Sequence, residues 1–378
     1  MMAVADADLE LKLRFRRILF LEGYWAPIEV ELSHYEADER AAADQPQARA
    51  PGEPEGSAPV TRRSLTDLDV LGIRFDPLLK QHRVVGDCKT GRRHSEVSRL
   101  FWLRGVLEFF GAEQGYFIKP RVDPHVRAVA PKLGLRVVSE PDLAALEAKL
   151  GVSGLRVPIA DPAVHADIAN LWGIEVAPGA KPSAEALRVK DAYSFLSYLY
   201  WYVEPHRRLL SLIPKFEQIA ELLDPSNPRH VLLAFVGAQR FAHSMLELAE
   251  NVYTYDGSGL PERARLYLYG GPLAANDKRR LFDLLRKVGI NEELDPPYLG
   301  DLVELLGRVI KNPHGTSDVL RHLDAMYVWN AHLRNTDPPS LAGGTVNTAA
   351  LVLAKDLVTS FVRAAGIKED LFKAIKNL

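Results

Sequence analysis

Ser64-Leu-Thr-Asp-Leu-Asp69-Val-Leu-Gly-Ile-Arg-Phe-Asp76, a polar turn, and His82-Arg-Val-Val-Gly-Asp87-Cys-Lys-Thr90 form the stretch on which the fold turns. Aliphatic and β-branched residues dominate both runs, and Asp76, Pro77, Lys80 and Gln81 punctuate them, which predicts two strands joined by a short turn. Strand side chains alternate, so Asp87 and Lys89 share one face and Cys88 takes the other. Asp69 stands among Leu68, Val70 and Leu71. A carboxylate in such a strand is costly unless it is paired, exposed or holding a metal, so the cluster demands a chemical reason.

Working outward, the apolar positions Leu9 to Leu21 predict a helix stopped by Gly23. Its first half, where Leu9, Leu11 and Leu13 alternate, fits either period. Tyr24 to Ser33 alternates as a strand, with Ile28, Val30 and Leu32 against Glu29 and Glu31. Residues 38–61, rich in Ala, Pro, Glu and Gln, hold few large apolar groups and are expected to form a mobile insertion. After Thr90, Ser95 caps a helix to Phe110 with an expected buried stripe of Val97, Leu100, Phe101, Leu103, Val106, Leu107 and Phe110. Strands at Gly115 to Ile118 and Leu135 to Val138 alternate with helices over Pro124 to Leu133 and Asp142 to Leu150. The pattern is that of a mixed α/β domain over residues 1–150. Residues 151–182 read as a connector, and 183–378 as a helical domain of unknown role. Within it Arg265 to Tyr269 is the one run that also fits a strand.

The bulk numbers bound the rest. A chain of 378 residues, 47% hydrophobic and 25% charged, holds a sizeable core. A net charge of -2 gives no global basic field, which leaves nucleic acid to local patches. A single cysteine, Cys88, excludes an internal disulfide and any cysteine-rich zinc site. With no leader-like N-terminus and no bilayer-length apolar run, a cytoplasmic protein without membrane contact is expected. The abundance of Ala, Arg and Pro suits a GC-rich bacterial genome.

Asp69 followed by Asp87-Cys88-Lys89 across a strand turn, with helices on either side, resembles the PD-(D/E)xK, or restriction-endonuclease-like, nucleases. The resemblance covers roughly Leu9 to Leu150. It implies that Asp69 and Asp87 hold magnesium, with manganese as a substitute, and that Lys89 orients the attacking water. Many members add a glutamate from the first helix; Glu10 is the candidate here and Glu22 the second. Leu68 stands where the pattern has proline, and an aspartate opens the triplet. The residue types suit the chemistry on their own account, because magnesium takes hard oxygen ligands and lysine adds charge where a phosphoryl transition state is most negative. The resemblance makes the expected function metal-dependent hydrolysis of nucleic acid, DNA before RNA.

Arg92, Arg93 and His94, with Arg99 and Arg104 beyond, place positive charge where a phosphate backbone would pass. The plain alternative is a solvated turn, just as Asp69, Asp87 and Lys89 are alternatively a paired cluster that fixes strand register. The rival class is accordingly a non-catalytic scaffold for nucleic acid or protein. In the helical half, Tyr193, Phe195, Tyr198, Tyr200, Trp201 and Tyr202 cover most of a helix circumference, which favours core or interface over a base-stacking platform. That half is expected to serve recognition, a protein partner or self-association.

Overall fold

The computed structural model describes residues 4–37, 60–91, 95–152, 158–173, 181–253, 259–289, 295–332 and 347–372. Helix α1 (Val4–Leu21) precedes strands β1 (Ile28–Ala37), β2 (Val60–Phe75) and β3 (Gln81–Cys88). Helix α2 (Glu96–Phe110), β4 (Gln114–Lys119), α3 (Pro124–Val129), β5 (Leu135–Ser139) and α4 (Glu140–Lys149) follow. The five strands lie in chain order, antiparallel from β1 to β3 and parallel from β3 to β5. The parallel steps need crossovers, which α2 and α3 supply. Helix α2 starts where the Ser95 hydroxyl accepts the Ser98 N–H and ends at Gly111, whose φ of 58° lets its N–H turn back to the last carbonyls. A capping box between Ser139 and Asp142 starts α4.

Both faces of the sheet are covered, which explains the dense apolar runs of β2 and β3. On one face Val70, Val84, Cys88, Ile118 and Val138 pack under Leu11, Phe15, Ile18 and Leu19 of α1 and Leu143 of α4. On the other, Leu71, Ile73, Phe75, Val85 and Phe117 join α2 and the later helices in one core. The ambiguous Leu9 to Leu13 segment is helical because Leu11 and Phe15, one turn apart, both meet this sheet. Gly86 sets how near α1 lies, since a Cβ there would stand 2.6 Å from the Phe15 ring.

Among the described residues every element after α4 is helical. These are α5 (Pro162–Leu171), α6 (Ala184–Ser194), α7 (Pro205–Glu217), α8 (Pro228–Val252), α9 (Leu260–Leu268), α10 (Pro272–Lys287), α11 (Leu299–Lys311), α12 (Pro313–His332) and α13 (Thr348–Ala365), with short 3-10 and π segments between some of them. The Arg265 to Tyr269 run is no strand: Leu260, Ala264 and Leu268 form a helical stripe on the core, and Tyr269 caps α9. Tyr193, Phe195, Tyr200 and Trp201 are buried, so the aromatic run is mainly core. Helix α8 is buried nearly all round and forms the centre of this half.

Two buried contacts lock the halves together at the start of β3. Glu247 of α8 accepts Arg208 Nη1 at 2.7 Å and Arg83 Nη2 at 3.0 Å. His243, one turn earlier, meets Gln81 Nε2 at 2.8 Å and the Tyr200 hydroxyl at 2.7 Å. Burial pushes the His243 pKa down to about 3, so the ring is neutral. The helical half therefore grips the strand whose far end carries Asp87. The insertion expected at 38–61 lies outside the described residues except Val60 and Thr61, which open β2. Residues 153–157 and 174–180 of the connector also lie outside them. Among the described residues no helix is long and apolar enough to cross a membrane.

Substituting Gly86→Ala should force Phe15 and α1 away from β3 and cost about 1–3 kcal/mol. The urea midpoint should fall with an unchanged slope; an unaltered midpoint would mean that α1 does not pack against β3 in this way.

Candidate active site

The β2–β3 ladder ends at the pair Val70 and Gly86, one step before Asp69 would stand opposite Asp87. Like charges directly opposed repel, and here the two strands part. Strand β3 continues its pairing with β4 through Asp87 and Cys88. Asp69 Oδ2 then accepts the Cys88 N–H at 2.8 Å, which closes the end of the ladder with a side chain.

Three cations from three elements surround the two carboxylates. Lys12 of α1 places Nζ 2.9 Å from Asp69 Oδ1, and Lys89 places Nζ 3.1 Å from Asp69 Oδ2. Arg99 of α2 grips Asp87 with both arms, Nε at 2.7 Å and Nη2 at 2.8 Å. Lys89 Nζ is also 3.8 Å from Asp87 Oδ1, so one ammonium lies between the two acids. Both aspartates are buried, whereas a third of the Lys89 side chain is exposed. Asp69, Asp87 and Lys89, singled out from sequence, are thus brought together at one point.

Lys12 also pairs with Glu29 at 3.2 Å. Glu29 adopts a left-handed φ of 53°, a strained conformation for a residue with a Cβ.

Glu10 does not join them. On a helix the positions that share a face are three or four apart, and α1 turns Asp8 and Lys12 toward the site. Asp8 accepts the Thr90 N–H at 2.7 Å and also the Thr90 hydroxyl. Glu10 is exposed on another side, where its charge acts on Arg14. Glu22 lies beyond the end of α1, and its carbonyl accepts Arg74. Arg92, Arg93 and His94, the expected phosphate contacts, lie outside the described residues. Arg99 serves Asp87 and stacks over Trp102 at 3.4 Å, and Arg104 forms an exposed pair with Glu108. Lys12 and Arg99 were the partners that sequence reasoning missed; the Asp8 to Lys12 spacing carried the signal for the first.

The two acids titrate in opposite directions. Burial works against ionisation of Asp69, but the charges of Lys12 and Lys89 overcome it and lower its pKa. Burial dominates at Asp87 and, with the charge of Asp69, raises its pKa despite Arg99. Lys12 is also buried, yet Asp69 and Glu29 raise its pKa, so it stays protonated. Burial pushes the Cys88 thiol well up, which leaves it unreactive.

No family model matches the chain, and no curated protein or solved structure is similar to it. What the site can hold is therefore judged from its donors. Among the described residues no three His, Cys, Asp or Glu side chains group as a metal site. Magnesium, however, needs only one or two carboxylates when water and a phosphate complete its shell. Asp69 and Asp87 offer two such carboxylates at a point where Lys89 already puts positive charge between them, so the donor types suit a hard divalent cation.

Folding favours ionised Asp69, a contribution complete above the ordinary carboxylate range and lost as the pH falls through its lowered pKa. Asp87, with its raised pKa, contributes at low pH and loses that contribution as the pH rises. Asp69→Asn, which strips Lys12 of a buried partner, should cost about 3 kcal/mol at pH 7 in urea unfolding. The deficit should shrink toward pH 3, and Asp87→Asn, which frees the more exposed Arg99, should cost less at pH 7. An Asp69→Asn deficit of equal size at both pH values would contradict this assignment.

Proposed function

We propose that the chain is a divalent-metal-dependent nuclease with a restriction-endonuclease-like N-terminal domain, acting on DNA before RNA. The single observation that carries this reading is Lys89 Nζ between two buried carboxylates at the parted ends of adjacent strands. The resemblance of Asp69 and Asp87-Cys88-Lys89 to the nuclease motif supports it, as does the mixed sheet with α1 and α2 on its opposite faces.

In this reading Asp69 and Asp87 would hold magnesium, which when bound lowers the pKa of a water ligand and neutralises charge on the phosphate. The protein supplies orientation. Cys88 N–H and Lys12 fix the Asp69 carboxylate, and the Arg99 fork fixes that of Asp87, so neither acid must reorganise during reaction. Lys89, released from Asp69, donates a hydrogen bond to the attacking water or to a phosphate oxygen. Lys12 remains protonated and keeps Asp69 ionised. The helical half serves recognition or assembly, and its hold on Arg83 and Gln81 steadies β3.

A second reading rests on the same ion pairs: a scaffold that retains the fold, in which Arg99 and Lys12 neutralise the acids permanently. Labelled duplex DNA, single-stranded DNA and RNA, incubated with magnesium, manganese or chelator, distinguish the two. The nuclease reading expects metal-dependent cleavage that falls on the order of a hundredfold in Lys89→Ala. Binding without cleavage, equal in native protein and variant, would establish the scaffold.

A further inference from the structure

A second feature lies on the far side of Glu29. Between β1, α5, α8 and α12 is a cavity of about 390 Å³, within the range of small-molecule sites. Trp25, Trp172 and Trp201 give it aromatic walls, and Gln239 and Arg240 of α8 reach it from the core.

Arg240 is the anomaly. It is 92% buried, being 8% exposed, and its Nε and Nη1 have no hydrogen-bond partner. Its guanidinium carbon lies 4.6 Å from the Trp201 ring centre, 4.9 Å from that of Trp25 and 5.2 Å from that of Tyr200. Rings stabilise a cation through their faces but accept none of the in-plane N–H groups. A buried charge without a counter-ion is strongly unfavourable, and burial here lowers the Arg240 pKa to about 10. Asp324 acts on it only through space, and no nearby carboxylate pairs with it directly. Asp324 is held by Arg16 at 2.8 Å and approached by Gln239, Glu29 is held by Lys12, and Glu31 accepts the Ser33 hydroxyl. Among the described residues, every acid lining the cavity has a partner, and of the two arginines that line it Arg16 is paired with Asp324 while Arg240 has no ion-pair partner.

We infer that this cavity binds a small aromatic anion, with its ring against the tryptophans and its phosphate or carboxylate on Arg240. A guanidinium with unpaired N–H groups at the cavity wall recognises either anion, and a volume near 390 Å³ admits a ring system with one such group. Glu29 lines the cavity and also holds Lys12, so the occupant would lie two ion pairs from Asp69. The binding claim does not depend on whether the aspartate centre cleaves nucleic acid.

Calorimetric titration of the full chain with AMP and with indole-3-acetate tests the phosphate and carboxylate versions. Adenosine and inorganic phosphate serve as half-ligands. One molecule of AMP or indole-3-acetate should bind per chain, at least tenfold more tightly than either half-ligand, and binding should vanish in Arg240→Met. Because that variant removes an uncompensated charge, its melting temperature without ligand should equal or exceed that of the native chain. Absence of binding by both aromatic anions would overturn the inference. So would binding unchanged by Arg240→Met, or a variant that melts markedly lower, which would make Arg240 a structural cation for the three rings.

Discussion

Two aspartates buried side by side are the constraint around which the N-terminal half is built. Asp69 and Asp87 stand where β2 and β3 separate, and neither would remain ionised there without charge supplied by other elements. Lys12 comes from the helix before the sheet, Lys89 from the end of β3 and Arg99 from the helix after it. The acids therefore fix how α1 and α2 approach opposite faces of the sheet. The apolar contacts of Phe15 and Leu19 on one side, and of Leu100 and Leu103 on the other, act in the same direction. Deleting one partner of such a cluster costs more than the pair contributes net, because a charge is left buried.

The helical half extends the pattern rather than merely adjoining it. Glu247 and His243 hold the opening residues of β3, and Arg16 of α1 reaches Asp324 of α12. Arg321 of α12 also donates to the carbonyl of Phe20 at the end of α1. The strand and the helix that present Asp87 and Lys12 are thus both fastened by the helical half. Rigid support of this kind is what a preorganised site needs, since carboxylates that keep their orientation need no rearrangement on binding a cation or a phosphate.

What sequence could reveal follows from how local each feature is. The paired strands around Asp69 and Asp87, the Ser95 cap and most of the stripe of α2 depend on neighbours within a few residues, and they read directly; Phe101, expected in that stripe, is exposed because it lies about 100° round the helix from Leu100. Helix α1 shows the limit. Alternating Leu9, Leu11 and Leu13 left its phase open, and without the phase Glu10 could not be told from Asp8 and Lys12 as the inward face. Arg99 looked like a phosphate contact because nothing in the sequence tells a side chain on a helix which strand lies beneath it. Arg265 to Tyr269 was too short for its alternation to outweigh the helical spacing of Leu260, Ala264 and Leu268. Arg240 was invisible for a stronger reason: its ring partners come from residue 25 and from residues 200 and 201, and only folding assembles them.

The central claim is that Asp69 and Asp87 form one divalent-cation site beneath the Lys89 ammonium. Titration of manganese into the chelator-treated chain, followed by the paramagnetic resonance of the free ion, measures this without reference to any substrate. The account predicts at least one bound ion per chain in the native protein, and loss of that ion in both Asp69→Asn and Asp87→Asn. It also predicts tighter binding in Lys89→Ala, where the competing ammonium is gone. No bound manganese in either the native chain or Lys89→Ala would contradict the account and leave the cluster as a set of permanent ion pairs.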